Sequence, residues 1–238
     1  MKLSIVVPAF NEERLLPAML ANLTQVMTPL GCDWELVVCD NNSTDRTAEI
    51  ARAAGAMVVF EPVNQISRAR NRGAAHASGD WLLFVDADSY PSKQLLQETL
   101  EEISLGRCLA GGATVAFESR DLFVRFWLAL WNATSRLMRW AAGSFIFCEA
   151  SAFREAGGFS ETLYAGEELD LFRRLKRLAR RRGRHIAILH RHPLHTSDRK
   201  ARLYRWHEHL GFLLKTFATG GRTLRRREDC SVWYDGRR

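Results

Sequence analysis

Two aspartates, Asp86 and Asp88, stand one residue apart immediately after the apolar run 82–85. On an extended chain, side chains at i and i+2 point to the same side. Two like charges leaving an apolar strand together are costly unless a cation offsets them. Their hard oxygens suit Mg²⁺ or Mn²⁺ bridging to phosphate oxygens; a solvated turn that caps the next helix is the plain alternative. Asp40 follows the run 35–39 in the same way. It can accept hydrogen bonds from a nucleoside base or ribose, or simply shape a turn before Asn41-Asn42. The stretch 67–73, Ser-Arg-Ala-Arg-Asn-Arg-Gly, puts Arg70 and Asn71 near a helix start, where they can meet a diphosphate or a base. An exposed basic helix face is the other reading. Glu167, Glu168 and Asp170 open a helix after Gly166. The helix dipole favours acids there, but three in four positions exceed what capping requires, and one of them can act as general base on an acceptor hydroxyl.

These groups need a scaffold to bring them together. Short apolar runs at 3–7, 35–39, 57–60 and 81–85 have strand length. They alternate with helical patterns: Leu15 to Met27 with Asn11 as N-cap, a helix through Ile50 capped from Asn42-Ser43-Thr44, one over 66–77, and one opened by Pro91 and reaching Ile103. This repetition implies right-handed βαβ units and a mostly parallel sheet with helices on both faces. Ligands then lie beyond the carboxyl ends of the strands, where residues 8–12, 40–42 and 86–88 fall. Further on, 109–117, 144–148 and 185–189 read as strands. The segments 121–142 (with Trp127, Trp131 and Trp140), 167–182 and 199–217 read as helices. The expected architecture is α/β, a single domain over 1–220 with a nucleotide-binding part at 1–90 and an acceptor and catalytic part at 91–220. A basic tail at 221–238 follows.

Composition narrows the partners. Apolar residues make up 47% of the 238 positions and charged residues 26%, ordinary for a soluble globular protein, so disorder is not the default. The net charge of +7, with arginines crowded at 173–184, 199–205 and 222–227, favours anionic partners. Five scattered cysteines with no CxxC pair argue against a disulfide framework or zinc site and for a reducing compartment. The start MKLSIVVPAF is not a signal peptide pattern, and no apolar run of about 18 residues exists to span a bilayer. The expected location is cytoplasmic, with peripheral contact at the inner face of an anionic membrane as the further option. Phe123, Phe126, Trp127, Leu130 and Trp131 give a broad apolar helix face. It suits core packing or a homodimer contact, or else an interfacial helix beside a lipid-linked acceptor.

In combination these stretches resemble a known family. Residues 6–12 (Val-Val-Pro-Ala-Phe-Asn-Glu), 40–45 (Asp-Asn-Asn-Ser-Thr-Asp), 69–73, Gly79-Asp80, Asp86-Ala87-Asp88, Gly157-Gly158-Phe159 and the acidic cluster follow the order and spacing of family-2 glycosyltransferases with the GT-A fold, over residues 3–178. The resemblance implies a donor that is a nucleotide-diphosphate sugar. Pro8, Phe10 and Glu12 would line the nucleoside pocket, Asp40 would bind base or ribose, and Arg70 would contact the nucleotide. Asp88 would be the main metal ligand, with Asp86 nearer the ribose or metal. The family's usual Glu-Asp pair is Glu167-Glu168 here, so the base role passes to Glu168 with a longer side chain than usual. Ser197 and Arg199 resemble a segment that closes on the diphosphate, and His195 can complete a metal shell.

The implied reaction is metal-dependent, inverting transfer of a sugar to the hydroxyl of a saccharide, lipid-linked or small-molecule acceptor. A sugar-phosphate nucleotidyltransferase is the nearest rival, but Pro8-Ala9-Phe10-Asn11 stands where that class has a glycine-rich loop. A glycoside hydrolase also uses paired carboxylates but needs no nucleotide. A non-enzymatic binder of nucleic acid or membrane fits the arginine runs and leaves the ordered acidic clusters without a purpose; no specific nucleic acid is expected.

Overall fold

The computed structural model describes residues 1–116, 122–196, 216, 219 and 221–230. Its elements follow in chain order as β1 (Lys2–Ala9), α1 (Leu16–Met27), β2 (Asp33–Asp40), α2 (Thr47–Ala53), β3 (Met57–Phe60), α3 (Ile66–His76), β4 (Trp81–Val85), β5 (Ser89–Tyr90), α4 (Lys93–Ser104), β6 (Cys108–Ala116), α5 (Leu122–Met138), β7 (Phe145–Glu149), α6 (Ala150–Glu155), α7 (Glu167–Arg181) and β8 (His185–Thr196). The expected final helix at 199–217 falls almost wholly outside the described residues.

One eight-stranded sheet runs in the order β3-β2-β1-β4-β7-β6-β8-β5. Pairings β3/β2, β2/β1, β1/β4 and β6/β8 are parallel, while β4/β7, β6/β7 and β5/β8 are antiparallel. The sheet is thus α/β and mostly parallel, as expected, with antiparallel β7 set between β4 and β6. Alternation along the strands explains why both faces are covered. Leu3, Ile5, Val7, Trp81, Leu83 and Val85 join α1 and α4 in one core. Val6, Leu82 and Phe84 turn to the other face and pack with α6 and α7. Strands buried on both faces read as unbroken apolar runs, which is why they stand out in the sequence.

The helices have equally local causes. Leu16, Met19, Leu20, Leu23 and Met27 repeat at the spacing of one helix face and are buried. Ser92 caps α4, its Oγ accepting from Leu95 N at 3.1 Å, so the helix starts just past Pro91. Asn11 does not cap α1: the cap position is Leu15. Asn11 instead adopts φ +51° and its Oδ1 accepts from Thr44 N at 2.7 Å, stitching the loops after β1 and β2. Likewise α2 begins later than its expected caps, with Arg46 at the N-cap. Trp140 lies beyond the end of α5 rather than within it. Of the segment read as a tail, residues 221–230 pack on the body: Thr223 and Cys230 are buried and Tyr164 N donates to Leu224 O at 2.7 Å.

Where β6 passes the turn before β7, the backbone has no room for a side chain. A Cβ on Gly112 would sit 2.2 Å from Ala141 Cβ and 2.7 Å from Phe145 O. Gly112→Ala is therefore expected to lower stability by about 1–3 kcal/mol, read as a reduced urea midpoint with an unchanged denaturant slope.

Candidate functional site

The central strands β2, β1 and β4 lie side by side and end together, so the loops that follow share one edge of the sheet. That edge carries Asp40 at the end of β2, Pro8, Phe10 and Glu12 around the end of β1, and Asp86 and Asp88 after β4. Adjacent strands are about 4.8 Å apart, so three strands bring these groups within the span of a nucleotide. Asp40 is buried, and its Oδ1 accepts from Ser43 N at 3.1 Å. Glu12 is buried with its backbone N donating to Thr47 Oγ1 at 2.8 Å.

The Asp86-Ala87-Asp88 segment is a tight turn rather than extended chain: Ser89 N donates to Asp86 O at 3.0 Å. The two carboxylates thus do not owe their proximity to strand alternation. Asp88 is buried and Asp86 partly so. Asp86 Oδ1 accepts from Arg70 Nη2 at 2.9 Å, so part of its charge is already spent on the protein. His195 is exposed and pairs with Tyr90 across β5 and β8, two residues beyond Asp88. Among the described residues no group of three or more His, Cys, Asp or Glu stands together as a metal cage. A cation at this turn would therefore rely on ligand oxygens or water to complete its shell.

Arg70 is the node of the site. Only 3% of it is exposed. Nη1 donates to Glu167 Oε1 (2.9 Å), and Nη2 donates to both Asp86 Oδ1 and Gly143 O (2.9 Å each). Its guanidinium lies 5.2 Å from the centroid of the Phe159 ring, which packs against Phe84 and Phe153 at 5.1 and 5.6 Å. Burial disfavours the charge, but Asp86, Glu167 and Glu168 outweigh it and hold the guanidinium above its ordinary range. Glu167 is pushed the other way from most paired carboxylates. Burial and then the Glu168 charge raise it, against the pull of Arg70. One buried cation thus faces three carboxyl groups, and the raised pKa of Glu167 takes up part of their negative charge.

Asn71 is placed differently from the expectation. Its Nδ2 donates to Phe159 O (2.9 Å) and Glu161 Oε1 (3.1 Å), and its Oδ1 accepts from Phe159 N (2.9 Å). The amide holds the loop before α7. Gly158 is required beneath it: φ is +65° and an added Cβ would fall 2.7 Å from Asn71 Oδ1. The same loop is tied to α3 by Gln65 Nε2, which donates to Glu161 O and Leu163 O (2.9 Å each), and by Arg68 with Glu161 (2.8 Å).

In α7, Glu167 is buried on Arg70 while Glu168 is half-buried, and no hydrogen bond or ion pair holds Glu168 among the described residues. Asp170 is engaged by Arg173 and Arg174 at 2.8 Å each. Of the three acids, Glu168 is the one with no hydrogen bond or ion pair among the described residues. Ser197 and Arg199 lie outside the described residues. Gly143 and Gln65 carry no signal in the sequence; Phe159 shows there only within the Gly157-Gly158-Phe159 stretch, and Glu167 only as one of three candidate acids. Arg70→Met would strand Asp86 and Glu167 without their partner, and is expected to cost about 3–5 kcal/mol, measurable by chemical denaturation.

With this geometry established, comparison with known proteins gives a consistent answer. Residues 4–157 match the family model of glycosyl transferase family 2. An uncharacterized glycosyltransferase of Mycobacterium tuberculosis is 36% identical over 109 residues, covering 46% of this chain and 47% of that protein, so the chain aligns with about half the length of that relative. The crystal structure of Staphylococcus aureus TarS, residues 1–349, superposes with a TM-score of 0.66 at 22% identity, covering 84% of this chain and 61% of that one. Glucosyl-3-phosphoglycerate synthase from Mycobacterium tuberculosis, solved with Mn²⁺, uridine diphosphate and phosphoglyceric acid, gives 0.63 at 22% identity over 90% of this chain and 75% of the other. At such identities these structures establish the fold, which is GT-A. With the family model spanning more than half of it, the chain belongs to glycosyl transferase family 2.

Proposed function

We propose that the enzyme transfers a sugar from a nucleotide-diphosphate donor to an acceptor hydroxyl, on a saccharide or a lipid-linked molecule, with inversion at the anomeric carbon. The observation that carries this reading is the meeting of acids on one sheet edge. Asp40 and the Asp86-Asp88 turn border a surface that Arg70 links directly to the start of α7, where Glu168 stands. Pro8, Phe10 and Glu12 would flank the nucleoside, and Asp40 would accept hydrogen bonds from its base or ribose.

Asp88, assisted by Asp86, would hold Mn²⁺ or Mg²⁺, which would supply neutralising charge for the departing diphosphate. The residues fit such an ion in chemistry: hard oxygens, a buried Asp88, and negative charge in excess of Arg70. Asp86 Oδ1 is shared with Arg70, and the main ligand role falls to Asp88 as the resemblance to the family implies. Ser197 and Arg199 would contact the diphosphate. The related synthase solved with Mn²⁺ and uridine diphosphate agrees with this donor chemistry.

Glu168 would remove the acceptor proton as the new C–O bond forms. It suits the task because it is neither clamped, as Glu167 is by Arg70, nor engaged, as Asp170 is by two arginines. Glu167 instead fixes the first turn of α7 against the donor side.

No helix among the described residues is long and apolar enough to cross a membrane. A cytoplasmic enzyme touching the membrane from its inner face accords with α5, which exposes Phe126, Trp127, Leu130, Leu137 and Met138. Flotation with anionic liposomes checks this; an enzyme that stays at the bottom at low salt would end it.

Asp88→Asn and Glu168→Gln are each expected to keep the fold and lower transfer by about a hundredfold or more. The paired measurements are the thermal melting curve and single-turnover sugar transfer. Asp88→Asn should also abolish the Mn²⁺-dependent thermal shift by nucleoside diphosphates, whereas Glu168→Gln should leave it intact. Near-normal transfer by both variants would refute the assignment.

A further inference from the structure

α7 has two contrasting sides. Leu171, Phe172, Leu175, Leu178 and Ala179 are buried toward the sheet, while Arg173, Arg177 and Arg180 are exposed on the far side. Across from them the turn Arg222–Arg225 folds back onto the body, anchored by the Tyr164 to Leu224 backbone bond and by buried Thr223. Between the two lies a cavity of about 850 Å³, whose charged wall is Arg173, Lys176, Arg177, Arg180, Arg222 and Arg225. Trp140 and three leucines line the rest, and the groove reaches Gly166 and Asp170 at the start of α7.

The charge there is one-sided. Among the described residues Asp170 is the single carboxylate in the lining, and it is already bonded to Arg173 and Arg174. Lys176 stacks 5.2 Å from the centroid of Trp140 and donates to Met138 O. Burial, then Arg180 and Arg139, push its ammonium below the ordinary lysine range, which marks the wall as crowded with positive charge. Six cations around a concave, partly apolar surface make a focused positive potential, with forked guanidinium donors that match phosphate oxygens.

We propose that this groove binds the phosphate group of the acceptor, a phosphate ester with some apolar surface. The inference rests on the reading of Glu168 as the base, and it adds a constraint. Side chains separated by 3, 4 or 7 positions share a helix face. Glu168 therefore lies on the side of Leu171, Phe172 and Leu175, whereas Arg173, Arg177 and Arg180 lie opposite. A helix with its side chains is about 10 Å across. The phosphate in the groove is thus not the group that receives the sugar; the receiving hydroxyl sits elsewhere on the same acceptor, reached around the first turn of α7.

The test compares the full chain with a variant carrying Arg177→Gln, Arg180→Gln and Arg225→Gln, all exposed positions outside the donor site. Two probes are titrated at physiological salt: glycerol 3-phosphate by calorimetry, and phosphatidylglycerol vesicles, against phosphatidylcholine vesicles, by flotation. Binding of either phosphate probe by the wild type, weakened about tenfold or more by loss of the three charges, supports the groove. Response to glycerol 3-phosphate alone identifies a soluble ester, and response to the anionic vesicles alone a lipid headgroup. Binding of neither probe, or binding equal in wild type and variant, overturns the proposal. The thermal shift by uridine diphosphate with Mn²⁺ is measured alongside. Its absence from the wild type would count against the donor reading while charge-dependent phosphate binding still stood.

Discussion

Arg70 places a full positive charge where water hardly reaches, and that constraint organises the rest of the site. A buried guanidinium must be surrounded by acceptors or its desolvation goes uncompensated. Here the acceptors come from three separate places: Asp86 beyond β4, Gly143 before β7, and Glu167 at the head of α7. The charge therefore sets the distance between the turn that carries Asp88 and the helix that carries Glu168. It also rests over Phe159, whose ring is locked among Phe84 and Phe153. A residue expected to touch nucleotide is, in the protein itself, the tie between the two halves of the site.

α3 extends that tie. In a doubly wound sheet a helix at this point need only cover one face, and its Ala69 does so against Val37, Cys39 and Val59. Its polar side does something further. Gln65, Arg68 and Asn71 bond the loop 159–163, which leads into α7. Together with Arg70 they make contacts along the first two turns of one helix to the loop before α7 and to its first turn. A change in the loops at the sheet edge that shifted α3 would move the loop 159–163 and the start of α7 with it.

The first half of the fold was legible because its causes are local. Apolar runs buried on both faces, with turn residues between them, identify β1 to β4, and topology alone then predicts that Asp40 and Asp86 end on a common edge. What escaped the sequence depends on partners far along the chain. Asn11 looks like a helix cap, yet its side chain is taken by Thr44, 33 residues on. Asn71 looks like a ligand contact, yet its partners lie 88 and 90 residues away. Asp86 and Asp88 look like neighbours on a strand, yet a backbone bond folds them into a turn. The insertion of antiparallel β7 between β4 and β6 has the same origin, since nothing in Phe145–Glu149 itself encodes which strands flank it.

The two sides of α7 carry opposite imbalances. On the sheet side Arg70 faces Asp86, Glu167 and Glu168, one cation against three acids. On the outer side six cations face Asp170 as the one carboxylate among the described residues of the lining. The raised pKa of Glu167 relieves part of the first imbalance, and repulsion among the cations costs stability in the second. A single helix separates them, so the field across its first turn runs from a positive groove to a negative cleft. A bound cation with the donor on one side and an acceptor anion on the other would lower the free energy at both places at once. An acceptor drawn in by its anionic end would then approach Glu168 from the outer side of α7, leaving the donor cleft clear.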